Sequence, residues 1–589
     1  MGCFALFGLG AWCATSFINP AQVTKLLSSS VKEATGRELK ITGPVGLSIF
    51  PKISVKAEQV SLGNASWASN PNMLLLKQVE LDIKLLPLLK GSVEIEKINV
   101  TGLEANLETN KAGDGNWNLT PPVLNPNLSA NQSASPSNDS SDSAFVSFKT
   151  LNIVEARIHY QDNGKAPSVI KIPRFSLGGS DGKSTILIDV QHTNYTLNLK
   201  GKTSSLRDAY FAWNQSPVKM DLDLALSVNG KSLAITGEID KKPDVLPKFN
   251  VDLNSKAFDL GPIAGSAAIA GSAGKASQAA PHKAQGKYFF SNEALPFDLL
   301  PLATGSININ ISELGIPHQA PFTNFKATLQ FQKDTIDASD VRFNVGKGSA
   351  QAQLSITQFT GSAPKLAMKG IAKDFTLEQI IAATDSSARV SGGDTKVAWN
   401  IRGSGMSPHQ IASRATGAIQ VSVGPSKLDS RLINQGGDFV ITLFDAINPL
   451  YKQSTQTILD CAVAYLPINA GVVNIQNSVG VQTDRLNILL SGSVSLDTEA
   501  VNININPSEK SGLTTGIDLG GLVKIEGTLE NPQSGVNKTG VVTSAASIGL
   551  GFLTGGISIA AENAKSLMTK SQPCKTALHP WSDIYSVGK

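Results

Sequence analysis

Aromatic side chains, charged side chains and cysteines are all scarce in this chain. Among its 589 residues, 6% are aromatic and 17% are charged, and the net charge is only +4. The few Tyr and Trp residues do not lie among Lys and Arg, so the sequence indicates no nucleic-acid surface. Hydrophobic residues, at 41%, exclude both a disordered acidic chain and a polytopic membrane protein. A chain of this length exceeds what one compact core usually serves, so several domains or an elongated repeat are expected.

Motifs for catalysis and metal binding are also missing. None of the six histidines pairs with another at metal-ligand spacing, and neither HExxH nor GxSxG occurs. The segment Gly178–Thr185 resembles a phosphate-binding loop, but Leu177 stands where the first glycine is required and the residues that follow alternate as a strand. This segment therefore predicts a hairpin turn. We expect a protein that is not an enzyme and that has no cofactor and no metal site.

The four cysteines fall into two groups. Cys3 and Cys13 lie in the first apolar stretch, whereas Cys461 and Cys574 lie far apart near the C-terminus. The absence of CxxC spacing argues against zinc. For the second group, one disulfide in an oxidising compartment and two buried thiols are both compatible with the sequence.

The first eighteen residues, Met1–Ile18, contain no charged side chain. As a helix they would span about 27 Å, close to the ~30 Å hydrocarbon core of a bilayer. A cleaved signal peptide needs a basic start and a small-residue cleavage site, but no Lys or Arg precedes Lys25, and Trp12 and Cys13 interrupt such a site. The sequence therefore predicts an uncleaved transmembrane anchor.

An amphipathic helix is predicted directly after this anchor, over Pro20–Thr35. Asn19 is suited to its N-cap, and Gly36 is suited to ending it. A helix that plugs one end of a sheet is favoured over a helix that binds a membrane surface.

From Leu39 onward the dominant pattern is an alternation of apolar and polar residues. This period of two predicts strands with one apolar face and one wet face. Turn signals such as Asn229-Gly230 and Asp181-Gly182 separate the strands. The apolar positions that we expect to share one groove face are Val79, Leu81, Ile83, Leu222, Leu224, Leu226, Ile307, Ile309, Ile311, Leu329, Ile419, Val421 and Ile503.

Few helices are available to cover these apolar faces. Capping boxes at Thr376 with Gln379 and at Ser407 with Gln410 mark two of them. The sheet must therefore fold on itself as a barrel, a sandwich or a curved trough. A dry core is the commoner outcome for alternating strands, whereas a trough would hold lipid chains. The predicted helices are Pro20–Thr35, Leu377–Ala383, Pro408–Ala415 and about 432–447.

Three stretches interrupt or end the strand pattern. Residues 121–144 are rich in Pro, Asn and Ser, and residues 264–284 are rich in Ala, Gly and Ser, so both are expected to be loops outside the sheet. Thr539–Ala561 is uncharged but contains four glycines. It is interpreted as an apolar helix or hairpin packed on the sheet end, in preference to a second membrane contact.

Several short motifs, taken in order, resemble the AsmA family of Gram-negative bacteria. At the N-terminal end they are Asn19-Pro20, Gly36–Pro44, Phe50–Val55, Leu62–Ala65 with Trp67, Leu85–Gly91, Ile98–Gly102 and Asp114–Trp117. Near the C-terminus they are Asn448-Pro449, Leu459–Ala464, Ile488–Leu496, Gly527–Leu529 and Asn531-Pro532. The middle of the chain shares only the alternating pattern.

The resemblance implies a mainly β protein with a few short helices and an elongated, curved β-groove. The implied domains are a transmembrane anchor (1–18), an N-terminal helix with the first strands (19–120), a polar loop (121–144), the repetitive groove (145–535) and an apolar helical cap (536–589). A late cysteine is usual in such proteins, which favours a Cys461–Cys574 disulfide.

The resemblance also implies an inner-membrane location, with most of the chain in the periplasm. The expected function is to bind and conduct phospholipid between the inner and outer membranes, as in related bridge-type lipid transfer proteins. The alternative is a non-catalytic scaffold for assembling outer-membrane proteins. The expected partners are the inner membrane and phospholipid or another acyl lipid, with outer-membrane or periplasmic proteins as further candidates and no nucleic acid.

Overall fold

The computed structural model consists mainly of β-strands, as predicted, and divides into two compact units between Val245 and Leu246. Each unit contains an open antiparallel sheet, and within the described part of each unit no pairing joins the first strand to the last. The described residues are 28–29, 31–32, 35–48, 53–84, 95–111, 113–119, 149–162, 168–180, 182–193, 195–261, 288–316, 320–382, 390–429, 456–484, 486–509, 523–536 and 572–586.

The elements of the first unit that are described from end to end are eleven strands and one short helix. Strands β1 and β2 pair with different halves of β3, and from β3 onward each strand pairs with the next along the chain. The elements are β1 Leu39–Ile41, β2 Val45–Ser48, β3 Ile53–Gly63, β4 Asn72–Ile83, β5 Ile95–Thr109, β6 Thr150–Asp162, β7 Ser168–Ser180, β8 Lys183–Gln191, β9 Thr196–Ser204, α1 Leu206–Ala212, β10 Val218–Val228 and β11 Lys231–Lys241.

Turn residues fold this unit as the sequence predicts. Asn229 and Gly230 both have positive φ and join β10 to β11 in a two-residue hairpin. Gly182, with a φ of 74°, lies in the β7–β8 hairpin, so the segment that resembles a phosphate loop is indeed a turn between strands. The phase break between Ile95 and Ile98 is a register shift in the β4–β5 pairing.

In the described residues of the second unit there are seventeen strands, four short helices and a 3₁₀ turn at Phe297–Leu299. The strands are β12 Lys248–Ser255, β13 Phe258–Asp259, β14 Ala303–Gly315, β15 Phe322–Lys333, β16 Thr335–Val345, β17 Gly348–Thr357, β18 Lys365–Thr376, β19 Val390–Gly392, β20 Asp394–Ser404, β21 Thr416–Val423, β22 Ser426–Asp429, β23 Gln456–Asn469, β24 Val472–Thr483, β25 Leu486–Ser495, β26 Ala500–Glu509, β27 Val523–Thr528 and β28 Pro532–Val536. The helices are α2 Leu377–Ala382, α3 Pro408–Ser413, α4 Pro573–Ala577 and α5 Trp581–Ile584.

Parallel pairing occurs once in each unit, where a long connection follows a strand. β5 pairs in parallel with β6, and β12 and β13 pair in parallel with β14. Parallel neighbours cannot be joined by a tight turn, so the chain needs a long crossover there. The predicted loops 121–144 and 264–284 belong to these two connections and lie outside the described residues. β5 and β6, which lie on either side of the predicted loop 121–144, pair within one sheet.

The short helices follow the predicted capping signals in part. Thr376 and Gln379 form the full reciprocal capping box before α2. Ser407 caps α3 by accepting from the backbone N–H of Gln410, but the Gln410 side chain bonds the backbone N–H of Met406 instead of closing the box. Helix α1 was not predicted.

Gly36 ends a helical segment as predicted, with a φ of 69° and its N–H bonded to the Lys32 carbonyl. The start of that helix, the predicted anchor 1–18, the predicted helix near 432–447 and the stretch Thr539–Ala561 lie outside the described residues. In the part of the chain that is described, no helix has the length and apolar character needed to cross a membrane.

Candidate functional site

One face of the first unit carries an unbroken row of apolar side chains. Paired residues of neighbouring strands project to the same side of a sheet. The register from β3 to β11 therefore aligns Ala57, Val79, Val100, Ile153, Phe175, Ile188, Leu199, Leu226 and Leu233.

A second row runs beside the first on the same face, two residues away along each strand. It aligns Val55, Leu81, Ile98, Leu151, Leu177, Ile186, Gly201, Leu224 and Ile235. We call these two rows the apolar face. It crosses nine strands, and eight spacings of about 4.8 Å give it a width of about 38 Å.

The apolar face is not covered by other parts of its unit in the way that a core would be. Of its members, only Ala57, Val100 and Leu233 are buried, and every other position remains half-buried. The large side chains of a packed β-sandwich interior would instead interdigitate with a second layer and lose contact with water. The face is therefore apolar surface that is still accessible.

The opposite face of the same strands is polar. The Asn99 amide donates to Glu80, the Asn152 amide donates to Asn99 at 3.0 Å, and Ser176 donates to Asn152 at 2.7 Å. These bonds connect β4, β5, β6 and β7 in a ladder of side chains. Elsewhere on the sheet the Glu238 carboxylate, bonded at 2.9 Å, raises the pKa of Lys219. The two faces thus differ sharply in their affinity for water.

The predicted groove residues of this unit lie on the apolar face or adjoin it. Val79, Leu81, Leu224 and Leu226 are members of the two rows, and Ile83 and Leu222 continue them along β4 and β10. The sequence-based set missed the positions on β6 to β9, of which only those on β8 lie in an alternation that the sequence analysis noted.

The second unit has a comparable apolar face over its first strands. The pairings of β12, β14, β15, β16, β17, β18 and β20 align Val251, Ile307, Leu329, Ala338, Leu354, Met368 and Ile401. Met368 is 41% exposed, and the others are half-buried except Ala338. Ile309 lies beside this row, half-buried, whereas Ile311 on the same strand is buried. The predicted Ile307 and Leu329 pack against a cluster of Phe297, Phe331, Ile336 and Phe359 but remain half-buried, as does Ile309.

Toward the C-terminal end of this unit the same face closes into a core. Leu490, Ile503 and Ile505 are buried in one hydrophobic cluster with side chains of β23, β24, β25 and β27. The predicted groove residues Ile419 and Val421 pack against that cluster. Ile503 is thus enclosed by packed protein, because here the strands bring their apolar sides together, whereas Ile419 and Val421 pack against the cluster and remain half-buried.

The other face of this C-terminal region is covered by residues 572–586. Cys574 in α4 forms a disulfide with Cys461 in β23, the pair that the family resemblance implies, with Cα atoms 6.4 Å apart. The buried Gln420 side chain bonds the backbone N–H and C=O of His579, and Lys396 lies 4.1 Å from the ring centre of Trp581. Both faces of the sheet are therefore covered here.

A segment following the Ala/Gly/Ser-rich stretch runs along one edge of the second unit. The buried carboxylate of Glu499 accepts hydrogen bonds from the backbone N–H groups of Phe289 and Phe290, and His409 lies 3.7 Å away. Farther along, Phe297 packs into a cluster with Phe331. We call residues 288–300 the rim segment, because it fastens the turn between β25 and β26 to the end of β15.

Among the described residues, no three His, Cys, Asp or Glu side chains are grouped in a way that would hold a metal ion. Comparison with known proteins gives one match. A profile of the AsmA family matches residues 11–172 and 180–424. The chain belongs to the AsmA family. Searches of curated proteins and of solved structures found no match.

The AsmA match includes the middle of the chain, where the sequence motifs were weakest, and it contains the apolar faces of both units except Phe175 and Leu177. It ends just after β21, so most of the closed core and the C-terminal motifs between Asn448 and Pro532 lie beyond it. Membership in the AsmA family indicates a function connected with the cell envelope, and the family is not known for catalysis.

Proposed function

We propose that this protein binds acyl lipid, phospholipid in the first place, on its accessible apolar faces and conducts it between the inner and outer membranes. The N-terminal apolar stretch would anchor the chain in the inner membrane, with the β-units in the periplasm. The observation that carries the proposal is the pair of continuous, half-buried apolar rows across nine strands of the first unit, backed by a polar opposite face.

The dimensions of the apolar face suit a lipid chain. One leaflet of a bilayer core is about 15 Å thick, so the ~38 Å face exceeds the length of one acyl chain at least twofold. An acyl chain with about fourteen methylenes that is half-covered by the face would gain roughly 5–6 kcal/mol at ~0.8 kcal/mol per methylene. That gain is large enough to hold a chain and small enough to let it move along the rows.

The uniform chemistry of the rows supports movement in preference to one fixed site. Most positions are occupied by Ile, Leu, Val and Phe, with Ala57 and Gly201 as the small members and no inward charge, so a chain meets a similar surface at most steps. A bound headgroup could meanwhile remain in water. The closed core of the second unit offers no such surface, which favours lipid contact on the strands before β21.

Site-specific photo-crosslinking tests this proposal. A photoreactive amino acid at Leu224 should capture phospholipid, detectable by mass spectrometry of the purified full chain. The matched control is Ala225, the next residue, which projects from the opposite face of β10. Capture of proteins alone from both positions, with no lipid at Leu224, would support the scaffold alternative and contradict lipid binding.

A further inference from the structure

Two exposed tryptophans lie on neighbouring loops at one edge of the first unit. Trp67 belongs to the connection from β3 to β4 and is 43% exposed, and Trp117 belongs to the loop after β5 and is 42% exposed. Leu119, two residues farther on, is also exposed. We call residues 64–72 and 113–119 the tryptophan corner. Large apolar rings exposed to solvent on adjacent loops indicate an interaction surface.

The corner is held rigidly by a buried asparagine. Asn116 is 1% exposed, and its amide donates to the Asn64 side chain at 2.9 Å and to the Asn106 carbonyl at 2.7 Å. Its side-chain oxygen accepts from the backbone N–H of Glu108. The Glu108 carboxylate in turn accepts two bonds from Ser69 at 2.9 Å. The two loops are therefore bonded to each other, and the Trp117 ring also lies 6.1 Å from the Tyr160 ring, while both tryptophans remain partly exposed.

The N-terminal part of the chain joins the sheet at this same corner. The carbonyl of Glu38 accepts from the Gly63 N–H at 2.9 Å, and the Arg37 guanidinium lies 3.5 Å from the Asn116 carbonyl. Residues upstream of Arg37 include the uncharged stretch Met1–Ile18. The nineteen residue-to-residue steps from Ile18 to Arg37 would measure about 28 Å as a helix. A bilayer that holds the uncharged stretch is thus within reach of the corner.

We propose that the tryptophan corner rests on the surface of the bilayer that takes up the N-terminal apolar stretch, with both rings at the boundary between headgroups and acyl chains. Trp is enriched at this depth because its ring is apolar and its N–H is polar. Residues 64–72 contain no charged side chain of their own, and the carboxylates of Glu108 and Asp114 would stay in the hydrated headgroup layer. The contact places the β3–β5 end of the apolar face beside the membrane.

This inference does not depend on lipid conduction, because a tethered scaffold could rest on the membrane in the same way. The test uses the full chain carrying Trp12→Phe, reconstituted in phosphatidylethanolamine–phosphatidylglycerol vesicles with or without brominated acyl chains. Removing Trp12 leaves five of the six tryptophans as reporters. We expect brominated lipid to quench about two-fifths of the emission, the share of Trp67 and Trp117 if the five tryptophans emit equally.

Further replacement of Trp67 and Trp117 by Phe should reduce the quenching by brominated lipid at least fourfold. The matched control is Trp213→Phe, at the opposite ends of the strands beside α1, which should leave the quenching by Trp67 and Trp117 intact. Far-UV circular dichroism of each variant checks the fold. Quenching that is absent from the start, or that disappears with Trp213→Phe in place of the pair, would overturn the proposal.

A variant that loosens the two loops tests whether the tryptophan corner must be held in place to contact the membrane. Asn116→Ala keeps both rings but removes the bonds that fix the loops, so the quenching should fall at least twofold. Asn198→Ala removes an exposed amide that bonds Asp189 within the sheet and should have no effect. Equal quenching in the Asn116→Ala variant and its parent would show that the loops need no fixing and would contradict the inferred docking. If the two tryptophans became shielded from solvent only after an envelope protein was added, the partner of the corner would be that protein and not the membrane, which would also contradict the proposal.

Discussion

Truncating one leucine on the open face and one in the closed core should reveal how differently the two surfaces are packed. Leu490 is buried within the C-terminal cluster, beside Val479 and Ile505 in the register. Leu490→Ala should therefore cost about 3–5 kcal/mol, through lost burial and the cavity left behind. Leu224 is half-buried and opposite Gly201. Leu224→Ala should lower the local stability by about 1 kcal/mol, because a half-buried leucine gains about half of the free energy of full burial and its truncation leaves no cavity.

Native-state hydrogen exchange of the delipidated full chain measures both effects locally, which avoids assuming one unfolding transition for two units. Amides of β25 and β26 should exchange roughly 100-fold faster or more in the Leu490→Ala variant. Amides of β10 and β11 should exchange only about fivefold faster in the Leu224→Ala variant. Stability losses of similar size in the two variants would mean that a second protein layer covers the apolar face. The argument for lipid binding would then fail.

Three further outcomes are expected from the same physical reasoning. Leu224→Asp should reduce co-purified lipid several-fold, since it places a charge among acyl chains, whereas Ala225→Asp on the polar face should not; equal loss would contradict the assignment of faces. Glu499→Gln should speed exchange at the N–H of Phe289 about tenfold or more, because charge-assisted bonds become neutral ones; unchanged exchange would mean that the carboxylate does not hold the rim segment. Cys574→Ser should increase protease cleavage within residues 572–586, and unaltered digestion would show that packing alone retains this segment.

The local pattern in the sequence predicted a mainly β protein and identified several of its strands. Alternation assigned Leu222, Leu224 and Leu226 to one side of a strand, and the structure confirms that they share a face. The Asn-Gly pair predicted the β10–β11 hairpin, because both residues tolerate positive φ. These features depend on neighbours only one to four residues apart.

Longer-range features were not predictable in this way. The parallel pairing of β5 with β6 crosses a stretch of polar low complexity, and no local signal distinguishes it from a domain boundary. The sequence likewise contains nothing that links Glu499 to Phe289, since these residues are more than two hundred positions apart and meet only at the edge of the second sheet. The motifs around Asn64 and Asn116 were noted as resemblances, but their direct bond required the folded loops.

The sequence alone determined that each strand has an apolar side and a polar side, since alternation with period two produces this in any sheet. Only the tertiary structure decided whether the apolar side is left accessible or covered. Leu224 follows an aspartate and Ile505 follows an asparagine in nearly the same local pattern, yet Leu224 remains half-buried and Ile505 is completely enclosed. The reason is physical: a strand's own residues set the direction of each side chain, but the atoms that exclude water come from distant strands.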